Sequence, residues 1–230
     1  MSLEKDIKST IRQSLGLSEI RKDNILNEAY VVEPKSYSFR TEFLSDKTKK
    51  ARIDDFNESV KCLNNIAARL DTADREAADH KSSDFRSLKA DETRCINDSF
   101  LRSKYFDNID DPRSQITMDT LTFMRLERDW GTFDAWQKDF IACGMSARSG
   151  YVVTAYNMML RRYMNLVVDE GGAVPVGTFP VIVLDVSEGA HYRDYLGDRK
   201  TYIVAMMKEL NWDVIEDRVK KSERIAKVLS

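Results

Sequence analysis

Imidazole is almost missing from this chain: His80 and His191 are the only two histidines among 230 residues. A redox metal centre held by several imidazole ligands cannot be drawn from so few. Cysteine is scarce as well. Cys62, Cys95 and Cys143 stand far apart in sequence without CxxC spacing; they read as ordinary thiols of a reducing compartment, neither a disulfide framework nor a zinc site. No apolar run approaches the roughly 20 residues that a bilayer crossing needs, so no membrane partner is expected. The opening Met1-Ser2-Leu3-Glu4-Lys5-Asp6 carries two acids in six residues, unlike an Arg-rich mitochondrial presequence or a secretory signal with an apolar centre. Targeting is therefore internal, or numbering begins after a removed presequence.

Charge of one sign is lacking too. The net charge is −2 and the pI is about 5.8, whereas a chain that binds nucleic acid over its whole surface is strongly basic. The balance shifts along the chain: +2 over residues 1–70, −6 over 71–189 and +2 over 190–230. An RNA contact, if made, is expected at the basic C-terminal tail, at Arg218, Lys220, Lys221, Arg224 and Lys227.

What is present suits one sizeable globular unit or two subdomains sharing an interface: 42% hydrophobic residues for a core and 32% charged residues for a solvated surface. In residues 54–79, Phe56, Val60, Leu63, Ala67, Leu70 and Ala77 recur at helical spacing, with Asp54 or Asp55 as a candidate cap. A second helix is expected over 84–105, with Phe85, Leu88, Ile96, Phe100 and Leu101 inward, closing a hairpin across a polar turn near His80. Asn108-Ile109-Asp110-Asp111-Pro112 reads as a linker. Further helices are expected over 114–129 and 132–143, the latter capped by Thr132 or Asp134. After Gly150 the β-branched and aromatic runs 151–156, 163–168 and 179–186, with Gly171-Gly172 as a turn, predict a three-stranded antiparallel sheet. Helices return over 199–210 and 212–229. The expectation is an α+β fold: an N-terminal helical hairpin domain over 1–111 and a C-terminal α/β domain over 112–230.

Several landmarks carry a family resemblance. Asp185-Val186-Ser187-Glu188-Gly189-Ala190-His191-Tyr192 resembles the Asp-x-Trp-Glu-His-Ala-Tyr signature of iron/manganese superoxide dismutases. Arg128-Asp129-Trp130-Gly131-Thr132-Phe133-Asp134-Ala135-Trp136 is similar to their Arg-Asp-Phe-Gly-Ser-Phe-Asp-x-Phe. Ser149-Gly150-Tyr151 resembles Ser-Gly-Trp, and Asn211-Trp212-Asp213-Val214 resembles Asn-Trp-x-x-Val. The family's His-Ile-Asn-His-Ser is matched by Cys95-Ile96-Asn97-Asp98-Ser99. The α+β layout of that family agrees with the pattern read from periodicity.

The resemblance implies a metal site stripped of its ligands. Of four ligand positions it retains Asp185 and places Arg52, Asp98 and Gly189 at the three imidazoles, with Phe56 and Val60 at a neighbouring His and the gateway Tyr. One carboxylate does not retain iron or manganese, and a guanidinium repels a cation. It also implies no cofactor, no catalysis, and a structural role like that of the superoxide dismutase-like proteins of the mitochondrial small ribosomal subunit, in the matrix. The implied partners are a related superoxide dismutase-like chain, met through Glu188, His191 and Tyr192 in a favoured heterodimer, other mitoribosomal proteins, and rRNA through the tail. A metalloenzyme with altered ligands and a scaffold in another organellar complex remain as alternatives. A mixed zinc site of Cys95, Asp98, Asp185 and His191 is weighed and disfavoured, because these residues are expected to surround Arg52. Arg52 is expected between the first helix and the sheet, facing Asp185, Asp98 or both. The plain readings cover the remainder: His80 in a surface turn, the acids of 71–79 on a solvated face, and Trp130, Phe133, Trp136 and Phe140 in the core.

Overall fold

The computed structural model describes residues 32–109, 114–169 and 172–229. Among them are seven helices and three strands: α1 (Asp46–Asp71), α2 (Asp84–Ile109), α3 (Leu121–Trp130), α4 (Phe133–Ser146), β1 (Gly150–Asn157), β2 (Arg162–Asp169), β3 (Thr178–Asp185), α5 (Glu188–Tyr195), α6 (Arg199–Lys208) and α7 (Trp212–Leu229). Residues 1–31, the opening included, lie outside the described residues, as do Asp110–Pro112 of the expected linker and Gly171 of the expected turn.

Helix α1 begins eight residues before the expected start, and neither Asp54 nor Asp55 caps it. Ser45 is the cap, its Oγ accepting from Thr48 N at 3.3 Å. The buried stripe runs on from Val60 and Phe56 through Arg52 and Thr48 at steps of four. A count of apolar residues alone stops at Phe56, because two polar side chains continue the same face. At its other end the helix stops at Asp71, where Arg75 Nη2 takes the Leu70 carbonyl at 2.9 Å. Ala77 stands beyond, exposed in a turn whose Asp74 carboxylate accepts from Glu76 and Ala77 N.

Helix α2 buries Leu88 and Leu101 and half-buries Phe85 as expected, but not Ile96 and Phe100. Ile96 and Phe100 face outward, 43% and 48% exposed, while Leu88, Cys95, Ser99, Leu101, Tyr105 and Phe106 are buried. Small side chains meet where α1 and α2 cross: Ser99 Oγ lies 3.3 Å from Ser59 Oγ, and Cys95 Sγ lies 3.1 Å from Cys62 Sγ. Close approach of two helices selects small residues for the seam, so the larger Ile96 and Phe100 are turned out. The thiols that look unrelated in sequence are thus neighbours.

The sheet is antiparallel, in the order β2-β1-β3. The register of β1 against β3 slips between Thr154 and Ala155, leaving Val181 as an extra residue on β3. Helix α4 begins at its expected cap, Thr132, whose Oγ1 accepts from Ala135 N at 3.1 Å. Helix α3 begins later than expected, at Leu121, because Thr117–Thr120 form a turn and Glu216 of α7 accepts from the N–H groups of Leu121 and Thr122. The short α5 has no counterpart among the expected helices. One core runs without a break from Phe56, Val60, Tyr105 and Phe106 of the hairpin to Trp136, Phe140, the sheet, Ile203 and Ile215. A smaller cluster of Leu63, Ile66, Leu70, Leu88 and Cys95 fills the far end of the hairpin.

Arg218 corrects an expectation. Instead of reaching solvent or RNA, it is buried, with its side chain 9% exposed. Its guanidinium donates to Asn108 Oδ1 at 2.5 Å and to the carbonyl of Val181, the bulge residue, at 3.2 Å. It also donates to Lys104 O at 3.1 Å and Asp107 Oδ2 at 3.0 Å. One side chain therefore satisfies the bulge and the last turn of α2 from α7. Burial lowers its pKa from the ordinary guanidinium value, and Asp107 counters that pull. We predict that Arg218→Ala lowers stability by about 3–5 kcal/mol, because Asn108 Oδ1 and two carbonyls lose a buried donor together and Asp107 keeps only its pair with Lys35. Lys221→Ala, which removes an exposed pair with Asp217, should stay within about 1 kcal/mol. Urea denaturation of both variants measures the difference.

Candidate functional site

The site forms where the two halves meet. Asp185 closes β3 and is buried, 2% exposed. Its backbone carbonyl accepts from Tyr202 Oη at 2.6 Å, and its Oδ1 accepts from Ser187 N at 2.9 Å. From α1, the buried Arg52 reaches across, its Nη1 3.5 Å from Asp185 Oδ2 and 3.4 Å from Ser187 Oγ. Its Nη2 makes a close ion pair with Asp55, one turn along the same helix. Gly189, in the first turn of α5, leaves the space that the Arg52 head occupies. A Cβ placed on Gly189 would stand 2.9 Å from Arg52 Cζ and nearer still to Nη2.

The charges continue onto α2, toward the surface. Arg102 Nη1 lies 3.8 Å from Asp55 Oδ2, and Arg102 Nε donates to Asp98 Oδ2 at 2.9 Å. Tyr151 Oη donates to Asp98 Oδ1 at 2.8 Å. Burial, with Asp185 close by, holds the Tyr151 phenol well above its ordinary pKa, so it stays a donor. Asp98 is therefore held by Arg102 and Tyr151 rather than by Arg52. Three carboxylates and two guanidiniums alternate from Asp185 to Asp98. At 3.5 Å and an effective dielectric near 20, the Arg52–Asp185 attraction is about 5 kcal/mol before desolvation. The closer Arg52–Asp55 pair is screened, since Asp55 is 39% exposed. The buried Asp185 is the partner that depends on Arg52.

A cavity of 740 Å³ opens beside this network and is lined by Arg52, Asp55, Asp98, Arg102, Asp185 and Gly189 among others. Cys62 and Cys95 form part of the same wall.

Comparison with known proteins places this arrangement. Residues 120–218 match the family described as iron/manganese superoxide dismutases, C-terminal domain. The iron superoxide dismutase of Cupriavidus metallidurans is 30% identical over 159 residues, covering 68% of this chain and 78% of the relative. That of Aquifex pyrophilus is 30% identical over 158 residues, covering 68% and 73%. The manganese enzyme of Haloarcula marismortui is 29% identical over 125 residues, covering 54% and 60%. The chain belongs to the iron/manganese superoxide dismutase family.

The metal of that family does not fit the residues found here. A superoxide dismutase metal needs several strong donors around one open position. At this centre a cationic guanidinium fills the space, and the carboxylates that touch it, Asp185 and Asp55, are already engaged by it. Among the described residues, no group of three or more His, Cys, Asp or Glu is arranged to hold a metal ion.

Of the residues expected at a partner surface, Glu188 and Tyr192 are exposed, but His191 is not. It is 4% exposed, with Nδ1 2.8 Å from Ser187 O and its ring 5.5 Å from that of Tyr202. A carbonyl only accepts, so Nδ1 carries the proton. Packing under α6 and the turn of α5 draws His191 inward, and it presents no side chain to a partner. His80 is exposed in the turn between α1 and α2. In the tail, Lys220 and Lys221 pair with Glu216 and Asp217 one turn earlier, and Arg224 and Lys227 are exposed.

Asp55, Arg102, Tyr151 and Ser187 are site residues that sequence reasoning missed. Asp55 was within reach: it lies three residues from Arg52 on the same helix face. We predict that Arg52→Ala lowers stability by about 3–5 kcal/mol, since Asp185 is left buried without its guanidinium. Gly189→Ala should cost about 1–3 kcal/mol by displacing Arg52. In the Arg52→Ala background the same change should cost nothing, because the space is then empty and alanine is the better helix former. A double-mutant cycle by urea denaturation measures the coupling; additive effects would contradict it.

Proposed function

We propose that this protein is a catalytically inactive member of its family, retained for its surface and its fold. The observation that supports this reading best is the Arg52 guanidinium beside Asp185, in the space Gly189 leaves open. The centre becomes an internal ion pair that joins the hairpin to the sheet. A cation entering there would face a fixed positive charge and find one buried carboxylate already engaged.

The assembly we propose for it is the small subunit of the mitochondrial ribosome, in the matrix, beside a related superoxide dismutase-like chain. Glu188 and Tyr192, side by side at the exposed start of α5, are the proposed contact. The absence of a side chain on Gly189 leaves Glu188 without a histidine to meet in a symmetrical pair, so a diverged partner chain with another donor is favoured. Contact with rRNA phosphates is proposed for Lys220, Lys221, Arg224 and Lys227, without Arg218. With a net charge of −2, protein contacts carry most of the attachment and the tail makes a salt-sensitive minority.

Two measurements test this reading. Purified protein grown with excess iron and manganese should hold neither in stoichiometric amount, and should show no dismutation above a metal-free control. Gly189→His alone should not restore activity, because Arg52 still occupies the space. Stoichiometric metal with dismutation would instead establish a metalloenzyme with altered ligands. Tagged protein recovered from cells should bring down small-subunit rRNA and a related chain. Recovery with a respiratory or ATP synthase complex, free of that rRNA, would replace the ribosomal setting with another organellar scaffold.

A further inference from the structure

The thiols of Cys62 and Cys95 face each other across the α1–α2 seam, with Sγ atoms 3.1 Å apart. Both belong to the wall of the 740 Å³ cavity. Cys62 is half-buried and Cys95 is buried, and neither is bridged. Elsewhere along the seam the helices are held by Ser59 and Ser99 and by the small far cluster to which Cys95 itself belongs. This end of the hairpin is packed by its own small cluster, separate from the main core, so a covalent link there adds a restraint that the main core does not supply.

We propose that Cys62 and Cys95 form a reversible disulfide that staples the hairpin when the protein meets a hydroperoxide. The geometry selects this over a shared soft metal. Two thiolates on one ion at about 2.3 Å each stand roughly 3.8 Å apart at a tetrahedral angle, and farther apart at wider angles. The observed sulfurs are closer than that, and a disulfide requires them to approach by only about 1 Å more.

The exposures set the order of events. Burial and the Cys62 hydrogen bond push the Cys95 thiol up to about 12, so Cys62, reached from the cavity, reacts first. Its sulfur attacks hydrogen peroxide, the O–O bond breaks, and the departing hydroxide leaves as water with the Cys62 proton. Cys62 is then a sulfenic acid. The Cys95 sulfur attacks the Cys62 sulfur, the S–S bond forms as the S–O bond breaks, and the hydroxyl leaves as water with the Cys95 proton. Two thiols lose two electrons, and one peroxide becomes two waters. A dithiol reductant reverses the link by exchange. This inference stands apart from the ribosomal reading and survives if that reading fails.

Full-length protein treated with hydrogen peroxide at a small molar excess should lose the mass of two hydrogens. Its non-reduced digest should contain one peptide pair joined through Cys62 and Cys95, and dithiothreitol should restore the starting mass. The melting temperature should rise by about 5 °C on oxidation and return on reduction. Cys62→Ser, a half-buried and conservative change, should abolish both shifts, while Cys143→Ser should leave them intact. Added oxygen on Cys62 without a link, or a link formed through Cys143, would overturn the proposal. So would a cross-link that leaves the melting temperature unchanged.

Discussion

A carboxylate buried at the end of a strand must be given a positive neighbour, and the arrangement around Asp185 follows from that requirement. The group is 2% exposed, and its own loop supplies a single backbone N–H, from Ser187. An uncompensated charge at such depth would cost several kcal/mol. Here the charge comes from α1, more than a hundred residues away in sequence. Arg52 can serve because guanidinium keeps its charge when buried and spreads its donors in a plane. It thereby touches Asp185, Ser187 and Asp55 together. The interface between hairpin and sheet is consequently electrostatic at one point and apolar around it, where Phe56, Tyr105 and Leu101 pack.

A second guanidinium does comparable work at another point of β3. Arg218 collects the carbonyl freed by the Val181 bulge and the acceptors at the end of α2. In both places a strand irregularity or a buried acid is matched by an arginine from a helix. Both arginines are visible as basic residues in the sequence, yet only Arg52 is legible there as a buried one. The difference lies in context. Arg218 sits among Lys220, Lys221 and Arg224, and a run of charges at a helix end reads as solvated. Its burial depends on a β-bulge that no periodicity reports.

The strands, the hairpin and the final helices were legible because their apolar periods are long and their turns carry glycine or acids. Errors came where small or polar residues occupy buried positions. Thr48 and Arg52 extend the stripe of α1 without hydrophobicity, and Ser99 and Cys95 displace Ile96 and Phe100 from the seam of α2. The same limit hid the thiol pair. Cys62 stands nine residues before the end of α1 and Cys95 eleven residues after the start of α2. Near-equal distances from a hairpin turn bring residues face to face, and that count was available from the sequence. At the centre itself, the motif locates Asp185 and Gly189, whereas Arg102 and Tyr151 require the approach of α2 to the sheet to be known.

The contact between Arg52 and Gly189 has a historical consequence. A side chain returned to position 189 meets the guanidinium, and a neutral residue returned to position 52 leaves Asp185 exposed to its own unbalanced charge. Each single change passes through a less stable protein. Mutual dependence of this kind acts as a ratchet. Folding stability then holds the two positions together, whatever selection acts on the chemistry of the site.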